Sequence, residues 1–177
     1  MEFQEFPKMP RLSRECVITE KIDGTNAQIF IADDFETMKI GSRTRWITPE
    51  DDNAGFAKWC KANRDELLTL GPGRHFGEWW GLGINRNYGL KEKRFSLFNT
   101  SRWTNENTPS CCGIVPELYR GIFDTNVVEE CLNNLRKFGS IASPGFMRPE
   151  GVVVFHIAGN YGFKKTIEKD EVPKSKA

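Results

Sequence analysis

The heptapeptide Glu20-Lys21-Ile22-Asp23-Gly24-Thr25-Asn26 constrains this chain more than any other stretch. It sets one lysine between acidic residues, adds a glycine and an amide, and runs into the alternating sequence Ala27-Gln28-Ile29-Phe30-Ile31. A lysine amine, with a reference pKa of about 10.4, becomes a nucleophile only where nearby positive charge or burial favours its neutral form. The stretch is therefore half of a chemical site. The other half, a phosphate-binding wall that carries cations, has to come from elsewhere in the chain. Taken alone, a lysine beside an Asp-Gly turn is an ordinary surface residue at a strand end.

At 177 residues the chain fits one domain, spanning 1–177, on the usual size of about 100–200 residues. Such a length buries enough surface to need neither a metal nor a disulfide staple. With 25 Lys plus Arg against 24 Asp plus Glu, the net charge of +1 gives no global attraction for a polyanion, which must be held by a local patch. The five cysteines, Cys16, Cys60, Cys111, Cys112 and Cys131, have no zinc-ligand spacing and read as reduced thiols of a cytoplasmic protein. No apolar run approaches the length of a membrane helix, and the N-terminus has no basic-then-apolar leader pattern.

Residues 1–14, with Pro7 and Pro10, read as an extended lead-in. Strands are expected at Cys16 to Ile18, Ala27 to Ala32 and Met38 to Ser42, the last two joined as a hairpin over Asp33-Asp34. Thr48-Pro49-Glu50-Asp51 has the composition of a helix start, delayed at Asn53-Ala54-Gly55 and continued through Phe56, Cys60 and Leu67 to Gly71-Pro72-Gly73. Further strands are expected over Phe76 to Gly81, Phe95 to Asn99, Val115 to Tyr119, Glu150 to Phe155 and Tyr161 to Ile167. A second helix should run from a cap at Asp124 or Thr125 through Val128, Leu132 and Leu135 to Gly139, and a charged tail closes the chain. The tally predicts an α+β fold of mostly antiparallel sheets flanked by helices.

Lys-x-Asp-Gly, followed in order by Gly41-Ser42-Arg43, Gly77-Glu78, Phe98, Glu150-Gly151 and Phe163-Lys164-Lys165, resembles the covalent nucleotidyltransferases. Among these the chain is most similar to the ATP-dependent RNA ligases of phages and bacteria. The resemblance covers nearly the whole chain, from Lys21 to about Lys174. It implies a nucleotidyltransferase domain in which Lys21 attacks ATP and carries AMP as a phosphoramidate, Asp23 orients the amine or a metal-bound water, and Glu20 lies against the adenine. It further implies that Asn26 reaches the phosphate or strand end, that Arg43 and Glu78 meet the ribose, and that Phe98 stacks on the base. Glu150, with Asp23, would hold Mg²⁺ or Mn²⁺, and Lys164 would contact the α-phosphate, with Lys165, on the opposite strand face, also counted among the nucleotide-binding residues. Two positions depart from the family pattern: Asn99 stands where relatives carry Asp, and Thr166 where they carry a second basic residue.

The implied substrates are RNA ends or a nicked duplex containing RNA, with AMP passing to a 5′-phosphate that a 3′-hydroxyl then attacks. Arg86, Lys91, Lys93 and Arg94 against Glu92, next to Trp79-Trp80, give a local excess of positive charge beside exposed aromatics that suits a single-stranded or nicked backbone, the alternative being a solvated loop. A DNA ligase or capping-type guanylyltransferase shares the chemistry but usually adds an oligonucleotide-binding barrel. A chain ending about ten residues after the last box therefore reads as a minimal ligase without a C-terminal domain. The remaining alternative is a nucleotide- or RNA-end-binding module without turnover.

Overall fold

The computed structural model describes residues 1–171, and the end of the charged tail, Lys174 included, lies outside the described residues. Its organising feature is a handover of the chain between two sheets at the lysine heptapeptide. The first sheet contains β1 (Glu15–Lys21). After only Ile22, Asp23 and Gly24 the second begins with β2 (Thr25–Ile31).

The second sheet continues with β3 (Met38–Gly41), β4 (Trp46–Ile47), β5 (Gly73–Gly81), β6 (Lys93–Leu97) and β7 (Cys112–Ile114). Among the described residues its six strands are ordered β4-β3-β2-β5-β6-β7, and only β6 and β7 run parallel. The chain then returns to the first sheet as β8 (Glu117–Ile122), followed by a helix and by β9 (Gly151–His156) and β10 (Tyr161–Thr166), in the order β10-β9-β1-β8. All three pairings there are antiparallel. The expected α+β class and the β2–β3 hairpin are both present.

Strand alternation assigns each sheet one buried face. Ala27, Ile29 and Ile31 of β2 join Trp79, Phe95 and Leu97 against the helices α1 (Phe56–Ala62) and α2 (Arg64–Leu68). Cys16 and Ile18 of β1 join Val152 and Val154 against α3 (Thr125–Phe138). Leu132 and Leu135 of α3 are almost fully buried, and each stabilises the packing by about 2 kcal/mol of transfer free energy. A third cluster of Ile22, Trp80, Tyr88 and Val115 lies where the chain crosses between sheets. The opposite face of the second sheet, carrying Asn26, Gln28 and Phe30, points away from its core.

The helix over 125–138 forms as its caps predict: the Asp124 carboxylate accepts from the Asn126 N–H at 2.7 Å, and Gly139 ends it at φ 82°. Thr48 does not start a helix. Residues 48–55 turn instead, and α1 is capped by Asp52, whose carboxylate accepts from the N–H groups of Ala57 and Lys58. Ala54 and Gly55 adopt left-handed φ just before it, which ends any continuous helix through that point. Pro116 delays the strand expected from Val115 until Glu117. All five cysteines are free thiols. Burial pushes those of Cys60 and Cys111 well up and Cys112 to about 11, so all three stay protonated at neutral pH.

Candidate active site

Lys21 ends β1 directly opposite Gly151, so the carboxylate of the preceding Glu150 arrives beside its amine. The Lys21 Nζ to Glu150 Oε2 distance is 2.6 Å, with side-chain exposures of 20% and 3%. Gly151 is required here because β10 passes against it. A β-carbon at this φ of 156° would sit 2.2 Å from the Lys165 carbonyl oxygen. The Glu150 carbonyl accepts from the Ile167 N–H at 2.9 Å, fixing the entry of β9 under the lysine.

Glu78 approaches the same place from the second sheet, paired with Asn26 across β2 and β5. Its carboxylate accepts from the Gly24 N–H at 3.0 Å and from Asn26 Nδ2 at 3.2 Å. Burial raises its pKa to about 7 against the opposing pull of Lys21 and the Gly24 N–H, and the charges of Glu150 and Asp23 add to the rise. Gly24 owes its place to this contact, since a β-carbon there would lie 2.4 Å from the Trp79 carbonyl oxygen and 3.0 Å from Glu78 Cγ. Gly24→Ala should therefore destabilise the fold by about 1–3 kcal/mol through overpacking and displace Glu78, which urea unfolding will register.

The raised Glu78 pKa fixes a sign. The folded protein binds this proton more tightly than the unfolded chain, so the associated stability is complete below the ordinary carboxylate pKa and lost as pH rises through 7. Unfolding free energies at pH 5 and pH 8 should differ by up to about 3 kcal/mol from this group, and Glu78→Gln should remove most of the difference. Burial also raises Glu20 against its own hydrogen bonds, so a smaller slope of the same sign persists in that variant.

Asp23 faces a loop, not a vacant coordination position. Its Oδ1 accepts from Asn85 Nδ2 at 2.9 Å and its Oδ2 from Arg86 Nε at 2.9 Å. Its backbone N–H donates to the Tyr88 hydroxyl at 2.8 Å. The loop reaches back to the heptapeptide by left-handed backbone at Asn85, Asn87 and Tyr88 and at Gly83 and Gly89. With an amide on one oxygen and a guanidinium on the other, Asp23 is anchored to the loop, and a cation would share it with Arg86 or reach it through water. Asn85 and Tyr88 were missed as site residues; the asparagine- and glycine-rich run Gly83-Ile84-Asn85-Arg86-Asn87-Tyr88-Gly89 was the available signal.

Two expectations are corrected by strand alternation. Glu20 points to the opposite face of β1 from Lys21, where Ser140 Oγ donates to it at 2.5 Å and the N–H groups of Ile141 and Ala142 at 2.8 and 2.9 Å. Its carboxylate anchors that loop and is not directed at a base. Lys165 pairs with Val152, hence lies on the α3 face, and its amine bonds Glu129 of that helix.

Lys164 pairs with Val153, which pairs with Thr19, and so shares the Lys21 face about 12 Å from it between α-carbons. Among the described residues Lys164 makes no ion pair. Thr166 occupies the Lys21 row itself and bonds Asp170 through its N–H at 2.8 Å. Phe98 follows Ser96 on the Glu78 face and is 40% exposed as a residue, and its N–H bonds the Phe76 carbonyl at 3.0 Å. Asn99 accepts from the N–H groups of Ser101 and Arg102, a turn-capping task needing no charge. Arg43 is exposed in the turn that joins β3 to β4, two residues beyond Gly41, which pairs with Gln28.

Among the described residues no three His, Cys, Asp or Glu side chains are arranged to hold a metal. Glu150 still supplies a hard oxygen beside the lysine, which fits Mg²⁺ or Mn²⁺ bound through one carboxylate with phosphate and water completing the shell. No helix among the described residues is long and apolar enough to cross a membrane.

The site is thus a lysine held by a buried carboxylate where the chain crosses between two sheets, with a second buried carboxylate close enough to feel its charge. The RNA ligase family profile matches residues 14–167, and the chain belongs to that family. Its fold is similar to that of a Naegleria gruberi RNA ligase in several solved structures. In the one with PPi the identity is 20% and the TM-score 0.61, covering 87% of this chain and 50% of that one. A mutant with AMP and Mn gives 19% and 0.62 over 86% and 49%, and a mutant with ATP and Mn gives 16% and 0.58 over 87% and 50%. The chain thus spans about half the length of these proteins. No curated protein matches it in sequence.

Proposed function

We propose that this chain carries the nucleotidyl-transfer chemistry of an ATP-dependent RNA ligase, joining 5′-phosphate and 3′-hydroxyl RNA ends, including nicks in duplexes containing RNA. Lys21 Nζ bonds the α-phosphorus of ATP as the bond to pyrophosphate breaks, leaving a lysyl-AMP phosphoramidate. AMP then passes to the 5′-phosphate, and attack by the 3′-hydroxyl expels AMP and seals the strand. The observation that carries this reading is the 2.6 Å pair of Lys21 with buried Glu150, with Glu78 approaching from the second sheet.

The amine must shed a proton before it attacks, and Glu150 is the group bonded to it. A divalent cation, when bound, would neutralise phosphate charge and compete with Lys21 for Glu150. Glu78, hydrogen-bonded by Asn26 and Gly24, presents an acceptor edge to ribose hydroxyls, and Arg43 offers a guanidinium from the β3–β4 turn. Phe98 offers its exposed ring to adenine, and Lys164 places a cation near the α-phosphate.

The test is incubation with ATP or GTP labelled on the α-phosphate, followed by a panel of nicked RNA, DNA and hybrid duplexes, a cleaved tRNA loop and single-stranded ends. Labelling by ATP and sealing confined to strands with RNA at the junction support the reading. Labelling by GTP alone, or sealing of DNA nicks only, would overturn it.

A further inference from the structure

The basic stretch after Trp80 does not form the aromatic, cationic surface its composition implies. Trp79 and Trp80 are 2% exposed, Arg86 is committed to Asp23, Lys93 to the Ala54 carbonyl and Arg94 to Glu92. Exposed rings do stand on the face of the second sheet that carries Glu78, at Trp46, Phe76 and Phe98.

Strand register arranges that face in rows. Asn26, Glu78 and Ser96 form the first. Trp46, Gly41, Gln28 and Phe76 form the second, with Phe98 bonded beside Phe76. Lys39, Phe30 and Arg74 form the third, about 13 Å from the first. The Arg74 guanidinium lies 5.2 Å from the Phe30 ring centre and 5.5 Å from that of Trp46, and it donates to Gln28 Oε1 at 3.2 Å. The Lys39 ammonium lies 6.0 Å from the Trp46 ring. Trp46 and Phe76 remain about half exposed, and no acidic residue stands in the second or third row.

Aromatic rings held in solvent among cations, with no carboxylate between them, match a ligand that alternates flat bases with phosphates. An apolar protein surface would leave Arg74 and Lys39 without compensation, and a fully paired duplex keeps its base faces covered. The surface is also continuous with Phe98 and Glu78.

We infer that the second and third rows form a platform for unpaired nucleotides of the RNA strand entering the site, with Trp46 and Phe76 stacking on bases and Arg74 and Lys39 facing phosphates. The direction of the strand, toward Lys21, rests on the ligase reading; the platform itself rests on the rows.

The test measures anisotropy of a short fluorescein-labelled single-stranded oligoribonucleotide with the intact chain and with Trp46→Ala, Arg74→Ala and Trp46→Phe, alongside label transfer from ATP. Each alanine variant should bind roughly 10-fold more weakly, Trp46→Phe should bind as the parent does, and label transfer should be unchanged in all. Affinities within about twofold of the parent, or a paired duplex bound more tightly than the single strand, would overturn the platform while leaving the ligase reading intact. If the parent takes up no label yet RNA affinity still falls in the alanine variants, the platform stands and the ligase reading fails.

Discussion

Lys21→Ala should take up no label from ATP, a loss of at least about 10⁴-fold, because removing a covalent nucleophile leaves no alternative attacking group. The substitution also takes a partner from Glu150, and breaking a fully buried pair costs about 3–5 kcal/mol. The loss should be smaller here, since the lysine is one-fifth exposed. Lys21→Arg separates chemistry from stability. It keeps a positive charge beside Glu150, but a guanidinium stays protonated and is not a nucleophile, so this variant should fold with near-parent stability and still take up no label. Labelling of either variant at the parent level would refute the assignment.

The second large effect is expected at Glu150. Glu150→Gln keeps the volume at the start of β9 and the backbone bond to Ile167 but removes the charge that pairs with Lys21. Label transfer should fall by roughly 10²-fold or more, the usual scale for losing one group that stabilises charge in a transition state. Raising Mg²⁺ or Mn²⁺ should restore part of the loss if the carboxylate also holds the cation. Lys165→Ala, by contrast, should leave label transfer unchanged, because its side chain is bonded to Glu129 on the far face of the sheet. A loss at Lys165 equal to that at Glu150 would show that the two faces have been misassigned.

What could be read in the sequence follows from which interactions are local. Lys21 and Glu150 were both legible, because each sits at a strand end with a glycine close behind, and the structure supplies the steric reason at Gly24 and Gly151. α3 was legible from its Asp124 cap, its apolar spacing and Gly139. The helix start at Thr48 was not. Asp52 caps α1 from four residues ahead, across left-handed Ala54 and Gly55, and no local pattern records that geometry.

Alternation places both Glu20 and Lys165 opposite Lys21, and for Lys165 that face was legible in the sequence. For Glu20, however, the decisive partners Ser140, Ile141 and Ala142 are about 120 residues away. Trp79 and Trp80 mark the limit of composition. A tryptophan pair beside basic residues has the same letters whether it is a platform or a core, and only register shows that Trp46, Phe76 and Phe98 are the exposed rings sharing the Glu78 face. The same holds for Asn85, Arg86 and Tyr88, which fold back some 60 residues to grip Asp23.

The central claim is that the Lys21 amine forms a bond to phosphorus, and mapping the site of adenylylation tests it most directly. The intact chain is incubated with ATP and Mg²⁺, digested at alkaline pH to preserve an acid-labile phosphorus–nitrogen bond, and sequenced by mass spectrometry. The account predicts AMP on Lys21. AMP on any other residue, or nucleotide that binds only without a covalent bond, would contradict it.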